Sequence, residues 1–213
     1  MSGGIITFAG EGQSRIEISK SVFIGNSREV TTSQEAEAFV AKIRSAYPDA
    51  RHVCYAWRIS GQTFMQKYSD DGEPSGTAGM PILNILTKQD ISNAVITVTR
   101  YFGGILLGKG GLVRAYTEAA AEAARASSLT RVSDGKLYRL TVGYDISEKL
   151  IRALEQEGWT VSGIDYGENV AIKVTCEADR GDALTEFAID RSFGRAVIDD
   201  EGTCEIRTSI PQI

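Results

Sequence analysis

Two segments of this sequence concentrate the residue types that chemistry uses. The first is Arg100 to Tyr116 (RYFGGILLGKGGLVRAY), with glycines at 103, 104, 108, 110 and 111 and the cations Arg100, Lys109 and Arg114. Glycine lets backbone amides come close to a bound group, and the free amides of a helix start favour an anion. The pattern therefore suits phosphate, with Arg100, Gly103, Gly104, Lys109, Gly110, Gly111 and Arg114 as its candidate binders. Gly103 to Lys109 fits the opening of the P-loop signature GxxxxGK, but Gly110 stands where Ser or Thr would have to meet Mg²⁺, so a Walker A site is rejected. The plain alternative is a tight strand-to-helix connection with Ile105, Leu106 and Leu107 in the core.

The second segment is Ser69 to Gly79 (SDDGEPSGTAG), where Asp70, Asp71 and Glu73 share one loop with Ser75 and Thr77. Carboxylate oxygens suit a hard cation, so this loop could hold Mg²⁺ beside a phosphate. It could equally form ion pairs with Arg100, Lys109 or Arg114 and cap the next helix through Ser75 or Thr77. The pairing reading is favoured, and no resident metal or cofactor is expected. Because one segment is wholly basic and the other wholly acidic, the two are expected to face each other across one polar cleft, with the helix start at 110 and 111 open.

His52 is the single histidine, and an imidazole is the side chain type best suited to serve as acid or base near neutral pH. Its plainer role is that of a hydrogen-bonded strand residue supporting the site. Tyr101 and Phe102 could stack on bases or lie in the core. Cys54, Cys176 and Cys204 are odd in number and far apart, which argues against a disulfide framework; neither a zinc cluster nor a Ser-His-Asp triad is visible.

Those segments need elements to hold them. The 213 residues are 42% hydrophobic and 24% charged, the composition of a chain that builds a core. No apolar run approaches the ~18 residues that cross a bilayer, and the start shows no signal-type block, so a cytoplasmic location without membrane partners is expected. The net charge of −5 divides into +1 over residues 1–130 and −6 beyond, so nucleic acid could be met only through a local patch in the first half.

Strands are expected at 15–19 and 22–28, then an amphipathic helix from a Thr32/Glu35 capping box to Pro48. A hairpin of 52–59 and 63–68 closed by Ser60-Gly61 follows, then a short helix around 81–87. Residues 94–100 read as a central strand, and Leu112 to Ala126 as an alanine-rich helix. Residues 127–135 read as a polar boundary between a domain of 1–130 and a domain of 136–213. The latter has the order βαββαβ of a ferredoxin-like fold: strand 136–144, a helix from an Asp145 cap, strands 160–166 and 169–176, a helix from about Asp179 with Ala183 inward, and strand 203–210.

Lys20–Ile24, His52–Ile59, Asp70–Gly79, Val98–Gly104 and Leu107–Tyr116 together resemble the Impact family in its bacterial YigZ branch. The resemblance implies an α+β chain with a first domain of the ribosomal protein S5 domain 2-like fold. The second domain would be similar to the last domain of elongation factor G. Eukaryotic Impact proteins regulate translation and carry an added N-terminal RWD domain, which this sequence is expected to lack. The motif residues matched are Asp70, Asp71, Glu73, Arg100, Gly103, Gly104, Gly110, Gly111 and Arg114. The expected function is that of a non-enzymatic translation-associated regulator that binds RNA or the ribosome at the glycine-rich site. The alternatives are a Mg-assisted enzyme on a phosphorylated small molecule or nucleotide, and a scaffold for a protein partner.

Overall fold

The computed structural model describes residues 4–61 and 63–211 and divides into two compact units, each α+β. One is built on Ile5–Arg131 and is rejoined by the chain from Thr208; the other is built on Val132–Arg207.

In the first unit β1 (Ile5–Phe8) precedes a five-stranded antiparallel sheet of β2 (Gly12–Ile18), β3 (Ser21–Glu29), β4 (His52–Ile59), β5 (Met65–Ser69) and β6 (Ala94–Tyr101), in the order β2-β3-β6-β4-β5. The β-branched run AVITVTRY is the central strand, and both its faces are covered, as its lack of alternation predicts. Ala94, Ile96 and Val98 face α2 (Gly79–Lys88) and α3 (Gly108–Ala126), while Val95 packs with Val53, Tyr55 and Trp57 under α1 (Ser33–Ala46).

Helix α1 starts as the sequence predicts. Thr32 Oγ1 accepts the Glu35 N–H at 3.2 Å, and Glu35 reaches back to the Thr31 N–H at 2.7 Å, one residue ahead of the cap. That bond to the Thr31 amide holds the Glu35 carboxyl below its ordinary pKa. Helix α3 lies unusually near the sheet because its contact face is alanine and the strands beneath carry Gly12, Ser14, Gly25 and Ser27. A Cβ on Gly25 would sit 2.6 Å from the Ala119 carbonyl oxygen, and Ser27 Oγ donates to the Ala123 carbonyl at 2.7 Å.

Four expectations need correction. Ile59 pairs with Met65, so the β4–β5 connection spans positions 60–64 and the two-residue turn at Ser60-Gly61 is not formed. The polar stretch 127–135 is strand from Leu129 on, because β7 runs from Leu129 to Val142. Small polar side chains hide that strand from a hydrophobic pattern, while its backbone is paired by β1 and by β10 (Val197–Ile210). Helix α4 (Tyr144–Gln156) takes Gly143 as its N-cap, with Asp145 one residue inside the first turn and bonded instead to Arg195 at 2.7 Å. Ala183 is exposed rather than inward.

The second unit otherwise keeps the expected order, with β8 (Thr160–Tyr166), β9 (Val170–Glu177) and α5 (Gly181–Arg191). Its strands lie β10-β7-β9-β8, and Leu140, Leu150, Leu154, Ile172 and Leu184 form the core between sheet and helices.

Candidate functional site

The β4–β6 register sets His52 opposite Arg100, and the β3–β6 register sets Phe23 opposite the same arginine. Directly opposed residues of antiparallel strands point to one face, so these three side chains rise together toward α3. Arg100 ends there almost fully buried, its side chain 7% exposed, with Nη1 donating to Glu73 Oε1 at 2.7 Å; the Glu73 side chain is 3% exposed. The same carboxylate oxygen accepts the Tyr116 hydroxyl at 2.8 Å, and Cys54 Sγ lies 3.4 Å from that hydroxyl. Burial raises the pKa of both Cys54 and Tyr116, so the thiol is held in its unreactive protonated form. Arg100 Nη2 is 3.5 Å from Ser21 Oγ, and its Nε has no hydrogen-bond partner among the described residues.

The loop's other two acids turn elsewhere. Asp70 receives the N–H groups of Gly76, Ala78 and Gly79, each at 2.9 Å, so it supplies a negative charge to the start of α2. Burial works against its ionised form, but those three donors outweigh it and leave the pKa lowered. The expected cap from Ser75 or Thr77 is not made: Thr77 Oγ1 donates to the Pro74 carbonyl at 2.6 Å, and Ser75 is exposed. Asp71 and Gly72 both have positive φ, 42° and 86°, and this turn separates the Asp71 carboxylate from its neighbours. It accepts the Val53 N–H at 2.7 Å and pairs with Arg44 of α1 at 2.9 Å. His52 Nδ1 lies 2.7 Å from the Asp71 carbonyl oxygen, which can only accept, so the proton sits on Nδ1. Among the described residues no group of three or more His, Cys, Asp or Glu side chains could hold a metal ion.

Above this network opens a cleft of about 840 Å³, lined by Asp49, Arg51, His52, Glu73 and Pro74 together with Arg100 to Phe102, Leu106 to Lys109 and Leu112. The acidic loop and the basic segment thus meet across one cavity, through Glu73 and Arg100. Lys109 is exposed at its edge, at the uncapped start of α3, whose N-cap is Leu107. Gly110 is exposed and Gly111 half-buried; with Leu107 as the N-cap, the amides up to Gly110 have no acceptor within the helix, whereas the Gly111 amide is in register with the Leu107 carbonyl, so the expected opening holds at 110 and not at 111. Neither Lys109 nor Arg114 has an ion-pair partner among the described residues; Arg114 is exposed and lies outside the cleft lining.

The glycines divide by role. Gly103 donates its N–H to Ser21 Oγ at 3.1 Å, and a Cβ there would collide with the Lys20 carbonyl group, so it is a packing residue. Gly104, at φ 82°, serves the turn. Asp70, Asp71, Ser75 and Thr77 shape the loop without lining the cleft. Sequence reasoning missed Arg51 and the lining role of Leu106, Leu107 and Leu112; only the strand register, which places position 52 beside position 100, could have drawn Arg51 in.

The Impact N-terminal domain model matches residues 19–124, and a domain of unknown function, DUF1949, matches 140–195. The IMPACT family member YvyE of Bacillus subtilis is 35% identical over 187 residues, covering 88% of this chain and 86% of that protein. The chain belongs to the Impact family, in its YigZ-like branch. YigZ of Escherichia coli is 37% identical over 174 residues, covering 81% and 84%. A solved structure described as that of a hypothetical protein superimposes at a TM-score of 0.61, with 32% identity over 93% of this chain and 97% of that one. With Protein IMPACT of Mus musculus the match is 33% over 94 residues, 29% of that protein. Every residue lining the cleft lies inside the Impact N-terminal span. No helix among the described residues is long and apolar enough to cross a membrane.

Proposed function

We propose that this Impact family member is a non-enzymatic, cytoplasmic regulator of translation that binds RNA or the ribosome by holding phosphate at the α3 edge of the cleft. One observation carries the reading. The three loop carboxylates are each committed to partners, whereas among the described residues Lys109 and Arg114 have no ion-pair partner and the first amides of α3 have no cap. Positive charge without an internal partner, at a helix start, suits an external anion. The family resemblance supports the setting, since eukaryotic Impact proteins regulate translation. So would a ribosomal protein S5 domain 2-like first unit and a second unit like the last domain of elongation factor G.

Phosphate contacts release counterions, so binding should weaken as salt rises. Filter binding and ribosome sedimentation at low salt test this with the parent chain and with Lys109→Glu/Arg114→Glu. The variant should bind at least about tenfold more weakly, its plot of log K against log salt flattened by about one unit for each phosphate it no longer neutralises. Its thermal midpoint should match the parent's, since both positions are exposed. Absence of any association by the parent would overturn the proposal.

A further inference from the structure

We infer that the cleft takes a nucleotide by its terminal phosphomonoester, with the base laid against Phe102, rather than an internal stretch of a long strand. This rests on the phosphate-binding reading above and specifies its ligand.

Several donor-bearing residues line the one cleft. Gly108 and Lys109 of the first turn of α3 line the cleft together with Arg51 and His52. Arg100 also lines it, more than nine-tenths buried, bonded to Glu73 through Nη1 and 3.5 Å from Ser21 Oγ through Nη2, with Nε unpartnered among the described residues. A buried guanidinium that is only partly satisfied lowers the cost of bringing a further negative charge nearby. A terminal phosphate carries ~1.5–2 negative charges near neutrality and three strong acceptor oxygens, which matches a compact cluster of donors.

Phe102 supplies the second half of the site. It is 53% exposed although it lines the cleft, and the Arg100 guanidinium lies 5.5 Å from its ring centroid. The ring is thereby held while part of its surface stays free, as a stacking base requires. The cavity of about 840 Å³ falls in the range of small-ligand sites, ~300–1,000 Å³. The charge of the whole chain opposes the alternative. Proteins that follow a strand carry a basic groove along it. Here the net charge is −5, and the cleft lining mixes Arg51, Arg100 and Lys109 with the carboxylates Asp49 and Glu73 rather than presenting a continuous basic track.

Competition binding with the full chain separates the cases, using a short single-stranded RNA phosphorylated at one end or the other, the same RNA with hydroxyl ends, the same sequence circularised, and a nucleoside monophosphate. A phosphorylated end should bind at least about tenfold more tightly than hydroxyl-ended or circular RNA. Lys109→Gln should abolish that preference. Phe102→Ala should weaken nucleotide binding about tenfold while sparing inorganic phosphate, with the thermal midpoint confirming the fold of both variants. If the free nucleotide binds as tightly as the phosphorylated RNA, the inferred group stands and the RNA reading falls. Equal binding of linear and circular RNA would overturn the inference while leaving the RNA reading. No binding by any probe would overturn both.

Discussion

At the residue scale the motif loop shows how neighbours in sequence take opposite duties. Asp70, Asp71 and Glu73 read as one acidic cluster, yet the positive φ of Asp71 and Gly72 sends the three carboxylates to α2, to Arg44 and to Arg100. The Arg100–Glu73 pair was legible as an attraction of opposite charges. The divergence was not, because nothing in the sequence marks Asp71, a non-glycine residue, for left-handed backbone. Breaking the buried pair should be costly: Arg100→Ala is expected to lose about 3–5 kcal/mol in urea unfolding, and Arg100→Met/Glu73→Leu to recover part of it. Asp70 gives a pH signature. Its carboxyl is lowered in the folded chain, so its contribution is present above the ordinary carboxylate pKa and is lost as pH falls through the lower, folded value. Asp70→Asn should therefore reduce the acid-side slope of the thermal midpoint against pH. An unchanged slope would show that the three amides do not favour the ion.

Elements with a strong pattern and a chemical boundary were legible. Helix α1 has its Thr32 cap, and β6 has its β-branched run. The apolar periodicity of α3 starts only at Leu112, but the helix begins at Gly108, because glycine has poor helix propensity and the first turn forms regardless. The alternating pattern of β7 starts near residue 136, yet the strand begins at Leu129, where pairing with its neighbours outweighs polar composition. The close seating of α3 was invisible, since small residues on two strands acquire meaning only when the helix lies over them. Gly25→Ala should accordingly cost about 1–3 kcal/mol, because its methyl group would meet the Ala119 carbonyl. A thermal midpoint equal to the parent's would refute that packing.

At the scale of the whole molecule, composition and motif order indicated two α+β units, but not that the chain returns to the first unit at Thr208. There the Thr208 carbonyl accepts the Thr130 hydroxyl at 3.2 Å, a contact 78 residues apart that no local pattern announces. Ending the chain at Arg207 should lower the stability of the first unit, read as earlier unfolding around Trp57 by fluorescence. On the proposed reading, the net charge of −5 leaves a polyanion to be met through a local patch at the cleft rather than a broad basic face. Amide chemical shifts of the labelled chain, followed while a short single-stranded RNA phosphorylated at one end is added, test that most directly. The amides of residues 108–111 should move first and furthest, with those of 51–52 and 100–102 following, and added salt should reverse the change. Saturating shifts confined to the second unit, or none at low salt, would contradict binding at the cleft.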